Sequence, residues 1–256
     1  MKITKNVERW SPFIVLAAAL VLWQLVVTLF SVPEFIFPSP VQITQQFIEF
    51  KGPLLEAAWK TFWVTMLGFA ISIVVGVMLG FLIGSSRLAY TALYPLMVAF
   101  NAVPKAAVVP ILVVWFGIGI GPGILTAFLI SFFPIMVNMA TGLATLEPEL
   151  EDVLRVLGAK RRDVLFKVGL PRSLPYFFAS LKVAITLAFV GTVLAEMTAG
   201  DSGIGYLMQS AGSQQRMALA FAGLVVIGAM AMAMYELFSY VEKHTTGWAH
   251  RGSQNT

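Results

Sequence analysis

Few side chains capable of chemistry fall inside the long apolar runs of this chain, and their types limit what it can do. Lys105 stands within one run, Glu196 toward the end of another, and Asn101 and Asn138 are amides in mostly apolar surroundings. An ammonium in hydrocarbon costs about 2.5–3.5 kcal/mol on insertion scales, so Lys105 must face protein or water. Three readings of it stand. It lines a solute pathway as a cation for anionic or electron-rich solutes, it pairs with Glu196, or it snorkels from near the end of a span. Pro104 and Pro110 interrupt the same run and free backbone carbonyls beside it. Asn101 and Asn138 suit hydrogen bonds between helices or a polar lining, and together with Lys105 and Glu196 they are the candidates for lining a translocation pathway. Catalysis finds little support. The chain has no cysteine, and both histidines, His244 and His250, lie in the polar C-terminal tail. That excludes thiolate chemistry and leaves no imidazole for a base or metal ligand within the apolar runs. Glu196 and Lys105 alone make a poor catalytic constellation.

The elements that must position these residues are membrane spans. Of the 256 residues 58 % are hydrophobic and only 12 % charged, with a mean hydropathy of +0.84, far from the roughly one-quarter charged composition of soluble domains. A hydrocarbon core of ~30 Å needs about 20 apolar residues per helix. Runs of that length lie near 11–30, 60–84, 91–116, 123–146, 174–197 and 218–241, so residues 1–256 read as one all-α membrane domain of about six spans. The apolar run after Lys2, Lys5 and Arg9 is too long for a secretory signal and lacks a small-residue cleavage site, so it reads as a retained first span. The net charge of +4 does not point to nucleic acid, because the basic residues sit in short segments between spans. With the N-terminus inside, the cytoplasmic side collects thirteen lysines and arginines, from Lys2 to Arg251, and the outside keeps Lys51, Lys60 and Arg216. This bias predicts both termini cytoplasmic.

Several patterns refine the picture. Gly68, Ser72, Gly76, Gly80 and Gly84 recur every four residues on one face of the second span, where small residues let backbones approach closely. Packing within one subunit and a subunit interface both fit. The external segment 31–59 opens on Pro38-Ser39-Pro40 and alternates apolar and polar residues, which predicts a short amphipathic helix at the outer interface. Trp59, Trp63 and Trp115 suit an outer aromatic belt, Tyr94, Tyr235 and Tyr240 an inner one, and Lys182 is expected to snorkel to the cytoplasmic face. The Met-rich stretch from Met230 to Met234 reads as adaptable packing.

The cytoplasmic segment 147–171 is dense in charge. Glu147-Pro148 starts a helix, with Glu149, Glu151 and Asp152 near the positive end of its dipole. Gly158 suits a left-handed termination. A second short helix over 159–168 exposes Lys160, Arg161 and Arg162 and ends at Leu170-Pro171. Such a helix-turn-helix suits the docking of a soluble partner, and a solvated loop that enforces topology fits as well.

Asp152-Val153-Leu154, then Gly158, then Val168-Gly169-Leu170-Pro171 resembles the cytoplasmic signature of ABC importer permeases. Asp152 keeps the charge of the signature's glutamate, while Val153 and Leu154 stand where alanines are usual. Phe37-Pro38-Ser39-Pro40, the stretch from Val103-Pro104-Lys105 to Trp115-Phe116-Gly117-Ile118-Gly119, and Ala195-Glu196 with Ser202-Gly203-Ile204-Gly205-Tyr206-Leu207 look like the branch for nitrate, taurine, sulfonates and thiamine- or riboflavin-related heterocycles. The resemblance implies a type I importer fold in the bacterial inner membrane, with a coupling helix between the fourth and fifth spans. It implies a second permease subunit, for which a copy of the same chain is the simpler expectation, a pair of cytoplasmic ATPases and an extracytoplasmic binding protein that delivers a small solute. The ATPase contacts it implies are Glu151, Asp152, Leu154, Arg155, Leu157, Gly158, Ala159, Arg161, Asp163, Phe166 and Pro171. ATP and magnesium would sit on the partner, in keeping with the lack of a phosphate-loop motif here. The competing reading is a secondary transporter or channel without an ATPase, for which paired broken helices and further intramembrane acids would be expected.

Overall fold

The computed structural model describes residues 5–144, 153–154 and 156–246, with side-chain surroundings from Trp10 onward and not for Arg161. Among the described residues all regular structure is helical: α1 (Lys5–Leu29), α2 (Pro40–Glu49), α3 (Lys51–Gly84), α4 (Arg87–Asn101), α5 (Lys105–Phe116), α6 (Ile120–Ala144), α7 (Arg161–Val164), a π-turn (Leu165–Gly169), α8 (Leu170–Ala199), α9 (Gly203–Ser213) and α10 (Met217–Thr245). Among the described residues five helical stretches are long and apolar enough to cross a membrane, and six if α4 and α5, bent by 80° at their junction, are counted together as one span.

The bundle is built around α6, which lies between α3 and α8. The small-residue stripe of α3 makes the first contact. A Cβ on Gly80 would lie 2.7 Å from the Met136 carbonyl oxygen, and one on Gly76 2.9 Å from Ile135 Cβ. The stripe is therefore used for packing within the subunit. Lipid tails are as apolar as the side chains, so this closeness contributes through van der Waals contact rather than hydrophobic burial. Ser72 and Ser131 hydroxyls add a 2.7 Å hydrogen bond across the same interface. On the other side of α6, Gly191 of α8 presses against the backbone of Ala127. Phe69, Ile135, Ile185 and Phe189 fill the space between the three helices, with Met230 and Met234 of α10 packed against them.

Three elements differ from the expected spans. The helix over the second span begins at Lys51 rather than near residue 60, because Pro53 falls in the first turn, where it is tolerated, and Glu56 and Lys60 pair at 3.0 Å one turn apart. The third span, expected as one helix over 91–116, is two. Pro104 has no N–H and disfavours helical geometry at Val103, so the chain turns through 102–104 before α5 starts. The fifth span does not begin afresh after Leu170-Pro171. Helix α7 runs through the π-turn straight into α8, with the Leu170 N–H bonded to the Leu165 carbonyl. A proline inside a regular helix forfeits one bond and clashes with the carbonyl four residues back, and a π-turn just ahead of Pro171 takes up that change of register.

Helix α2 forms within the 31–59 segment, as expected. Ser39 caps it, with the Gln42 N–H donating to Ser39 Oγ at 3.3 Å and the Ser39 N–H to Gln42 Oε1 at 2.8 Å. Its Ile43 is buried with Leu54, Ala211 and Leu219. Arg216 reaches Gln46 at 3.1 Å and stacks over Phe50, which fastens α2 to the start of α10.

Candidate functional site

Among the described residues, three sites hold the polar residues singled out in the sequence. The first is the broken span. Because the helix stops at Asn101, its carbonyl has lost the N–H that Lys105 would give it in a continuous helix. Lys105 Nζ takes that place, donating to the Asn101 carbonyl and to Asn101 Oδ1. The ammonium thereby caps the negative end of α4. It stands at the edge of a cavity of about 400 Å³ lined by Phe100, Val103, Val108, Leu112, Trp115 and Phe128, among others. Lys105 is thus a cation at a bend, rather than one buried midway along a straight span. Asn138 lies on α6, and its Nδ2 donates to the Pro134 carbonyl within the same helix at 2.9 Å.

The second site is a buried polar knot at the opposite end of α8 from the π-turn. Glu196, 8 % exposed, accepts from Thr61 Oγ1 at 2.9 Å through both carboxylate oxygens and from the Gly205 N–H at 2.9 Å. Thr61 Oγ1 in turn accepts from the Ile204 N–H at 2.8 Å. Thr65 and Thr192 extend the knot with a 2.9 Å contact between hydroxyls. The structure therefore does not bring Lys105 and Glu196 together as an ion pair: each has its own partners. The glycine pattern of the Ser202 to Leu207 stretch follows from the carboxylate. Gly203 has φ +93°, and a Cβ there would overlap the Glu196 carboxylate. A Cβ on Gly205 would meet Glu196 Cβ at 2.7 Å.

The third site is the segment ahead of α8. Gly158 has φ +88°, and the Ala159 N–H donates to the Leu154 carbonyl at 3.0 Å, the bond of a Schellman ending. Asp163 accepts from the Lys160 N–H and pairs with Lys167 at 2.9 Å. Leu157 and Phe166 are exposed among these charges, and Phe166 also touches the Phe81 ring on α3. Glu151, Asp152 and Arg155 lie outside the described residues.

One polar pair escaped the sequence reading. Lys182, expected to snorkel, instead donates to Glu242 of α10 at 2.6 Å, with both side chains largely buried. The only signal was a glutamate near the end of an apolar helix, which reads equally well as a solvated end.

With this geometry in view, likeness to known proteins becomes informative. Residues 72–245 match the family described as binding-protein-dependent transport system inner membrane component. A probable ABC transporter permease protein of Haemophilus influenzae is 32 % identical over 88 % of this chain and 91 % of its own length. The formylaminopyrimidine transport permease protein ThiX of Halalkalibacterium halodurans is 27 % identical over 95 % of this chain and 98 % of its own. A chain of the MetNI methionine ABC transporter, solved in inward-facing conformations, shares the fold with a TM-score of 0.63 at 17 % identity, over 75 % of this chain and 96 % of that one. On the extent of the family match and the similarity to the Haemophilus permease, this chain belongs to the inner-membrane components of binding-protein-dependent transport systems, the permeases of ABC importers.

Proposed function

We propose that this chain forms the translocation pathway of an ATP-driven importer and couples it to cytoplasmic ATPases through residues 151–171. The observation that carries this is the continuity of the segment with a core span. A Schellman turn at Gly158 leads into α7, and α7 passes through the π-turn into α8 without a loop. Force applied to Asp163 or Phe166 by a docked partner reaches α8 through helix rather than through slack chain. In this reading both termini are cytoplasmic, α2 and α9 face outward, and a second permease, a copy of this chain, completes the pathway. A small solute arrives from an extracytoplasmic binding protein that contacts the loops of 31–59, 117–122 and 198–217. ATP and magnesium are held by the ATPases, and this chain transduces hydrolysis without catalysing it. Lys105 and Asn101 at the bend and Asn138 on α6 are the pathway candidates. A cation there favours solutes carrying negative charge or electron-rich rings, the chemistry shared by sulfonates, nitrate and vitamin-related heterocycles.

The test is co-purification. The chain is expressed with the ATPase encoded beside it, and the wild type is compared with a Gly158→Pro, Arg161→Glu double variant. Proline cannot adopt the positive φ of residue 158, and the second change reverses the charge at residue 161. Loss of the ATPase from a variant that remains folded in detergent is the expected result. No ATPase on the wild type would refute coupling and favour a transporter that runs without one.

A further inference from the structure

The buried knot around Glu196 is costly, and the pathway reading leaves it unused. Removing a carboxylate from water is unfavourable unless hydrogen bonds replace the lost solvation. Here one threonine, Thr61, and two glycines, Gly203 and Gly205, are committed to receiving it. What it achieves is visible in its partners. The first N–H groups of a helix lack intrahelical acceptors and are usually capped by the residue just ahead. Helix α9 is different: Ser202, at its N-cap position, provides no side-chain bond. The Ile204 N–H is taken by Thr61 of α3, and the Gly205 N–H by Glu196 of α8. The Thr61 hydroxyl then donates to that same carboxylate. One carboxylate thus fastens α9 to two spans, with negative charge at the positive end of its dipole.

Helix α8 is also the rod that begins at the π-turn. Its near end carries the proposed ATPase-docking segment, and its far end carries Glu196. Beside the knot, the first turns of α3 and the exposed side of α9 enclose an outer cleft of about 430 Å³, flanked by Glu56, Lys60, Asp201 and Arg216. Because Thr61 belongs to α3, α8 cannot shift along α3 without breaking the Thr61 bonds, while the Gly205 bond to Glu196 would carry α9 with α8.

We infer that Glu196 is a positioning residue for transmission between the two faces: it joins α8 to α9, so that a partner on the outer cleft and the ATPases at the opposite end act on one rigid element. This rests on the importer reading. Thr61 is its second half, because among the described residues its hydroxyl is the only group that bonds both the carboxylate and α9.

The experiment uses the permease–ATPase complex in proteoliposomes. ATP hydrolysis is measured with and without increasing amounts of the binding protein encoded beside the chain, loaded with solute. Losing a hydrogen bond at a charged group is worth about a factor of ten in a coupled equilibrium. Glu196→Ala is therefore expected to raise the half-saturating concentration of binding protein about tenfold and to lower the stimulated-to-basal ratio, with the ATPase still bound. Thr61→Val, nearly isosteric and less prone to misfolding, should do the same in milder degree, and Thr61→Ser should restore both values. Undiminished stimulation in Glu196→Ala and Thr61→Val, or a folded Thr61→Ser that behaves like Thr61→Val, would overturn the inference. If the binding protein fails to stimulate the wild-type complex, the importer reading itself fails, and the inference goes with it.

Discussion

Two ionisable residues in the apolar body of this protein solve the same problem in different ways. Lys105 satisfies a carbonyl that the break of its own span has orphaned, so its charge is useful locally before any solute arrives. Lys182 finds a distant partner in Glu242, and the Tyr235 ring lies 5.9 Å from its ammonium. Breaking a buried pair from one side strands a charge, at a cost of about 3–5 kcal/mol when fully buried, and less here, where some solvent reaches both side chains. Lys182→Gln and Glu242→Gln should therefore each lower the melting temperature of the detergent-solubilised protein. The double variant should recover most of the loss, because no charge is then left unpaired. Equal losses in the single and double variants, followed by intrinsic fluorescence on heating, would show that the pair contributes nothing as a pair.

At the scale of elements, close approach of α3 to α6 decides where everything else sits. Gly80→Ala places a Cβ 2.7 Å from the Met136 carbonyl, and neither helix can yield without moving its backbone. Overpacking of this kind costs about 1–3 kcal/mol. Gly52, at the start of α3, has nothing within 4 Å of a Cβ. Gly52→Ala is expected to be neutral or slightly stabilising, since it only removes freedom from the unfolded chain. A thermal-shift comparison of the two variants checks the claim, and equal melting temperatures would contradict it. The same logic explains the broken span and the π-turn. Both occur at prolines, yet with opposite outcomes: Pro104 bends the chain by 80°, while Pro171 is absorbed and the helix continues. Proline demands relief of a carbonyl clash, and its surroundings choose between a bend and a wider turn.

For the whole molecule, the proposed orientation can be tested cleanly because the chain has no cysteine. Gln215→Cys, exposed at the α9–α10 turn, should react with a membrane-impermeant maleimide in intact spheroplasts. His244→Cys, at the far end of α10, should react only after permeabilisation. The reverse pattern would invert the topology. The sequence by itself determined the class, the approximate number of spans, the small-residue face of α3 and the left-handed ending at Gly158. These depend on local composition, spacing and backbone sterics, which act over one or two turns. Tertiary structure alone decided that the glycine stripe packs on α6, that Lys105 and Glu196 have separate partners, that Lys182 meets Glu242, and that Gly203 and Gly205 make room for a carboxylate. Each of these joins residues far apart in the chain, or depends on how a proline is relieved. The physical reason is that a polar group in an apolar run announces only that it must be satisfied. Which group satisfies it is settled when the helices come together.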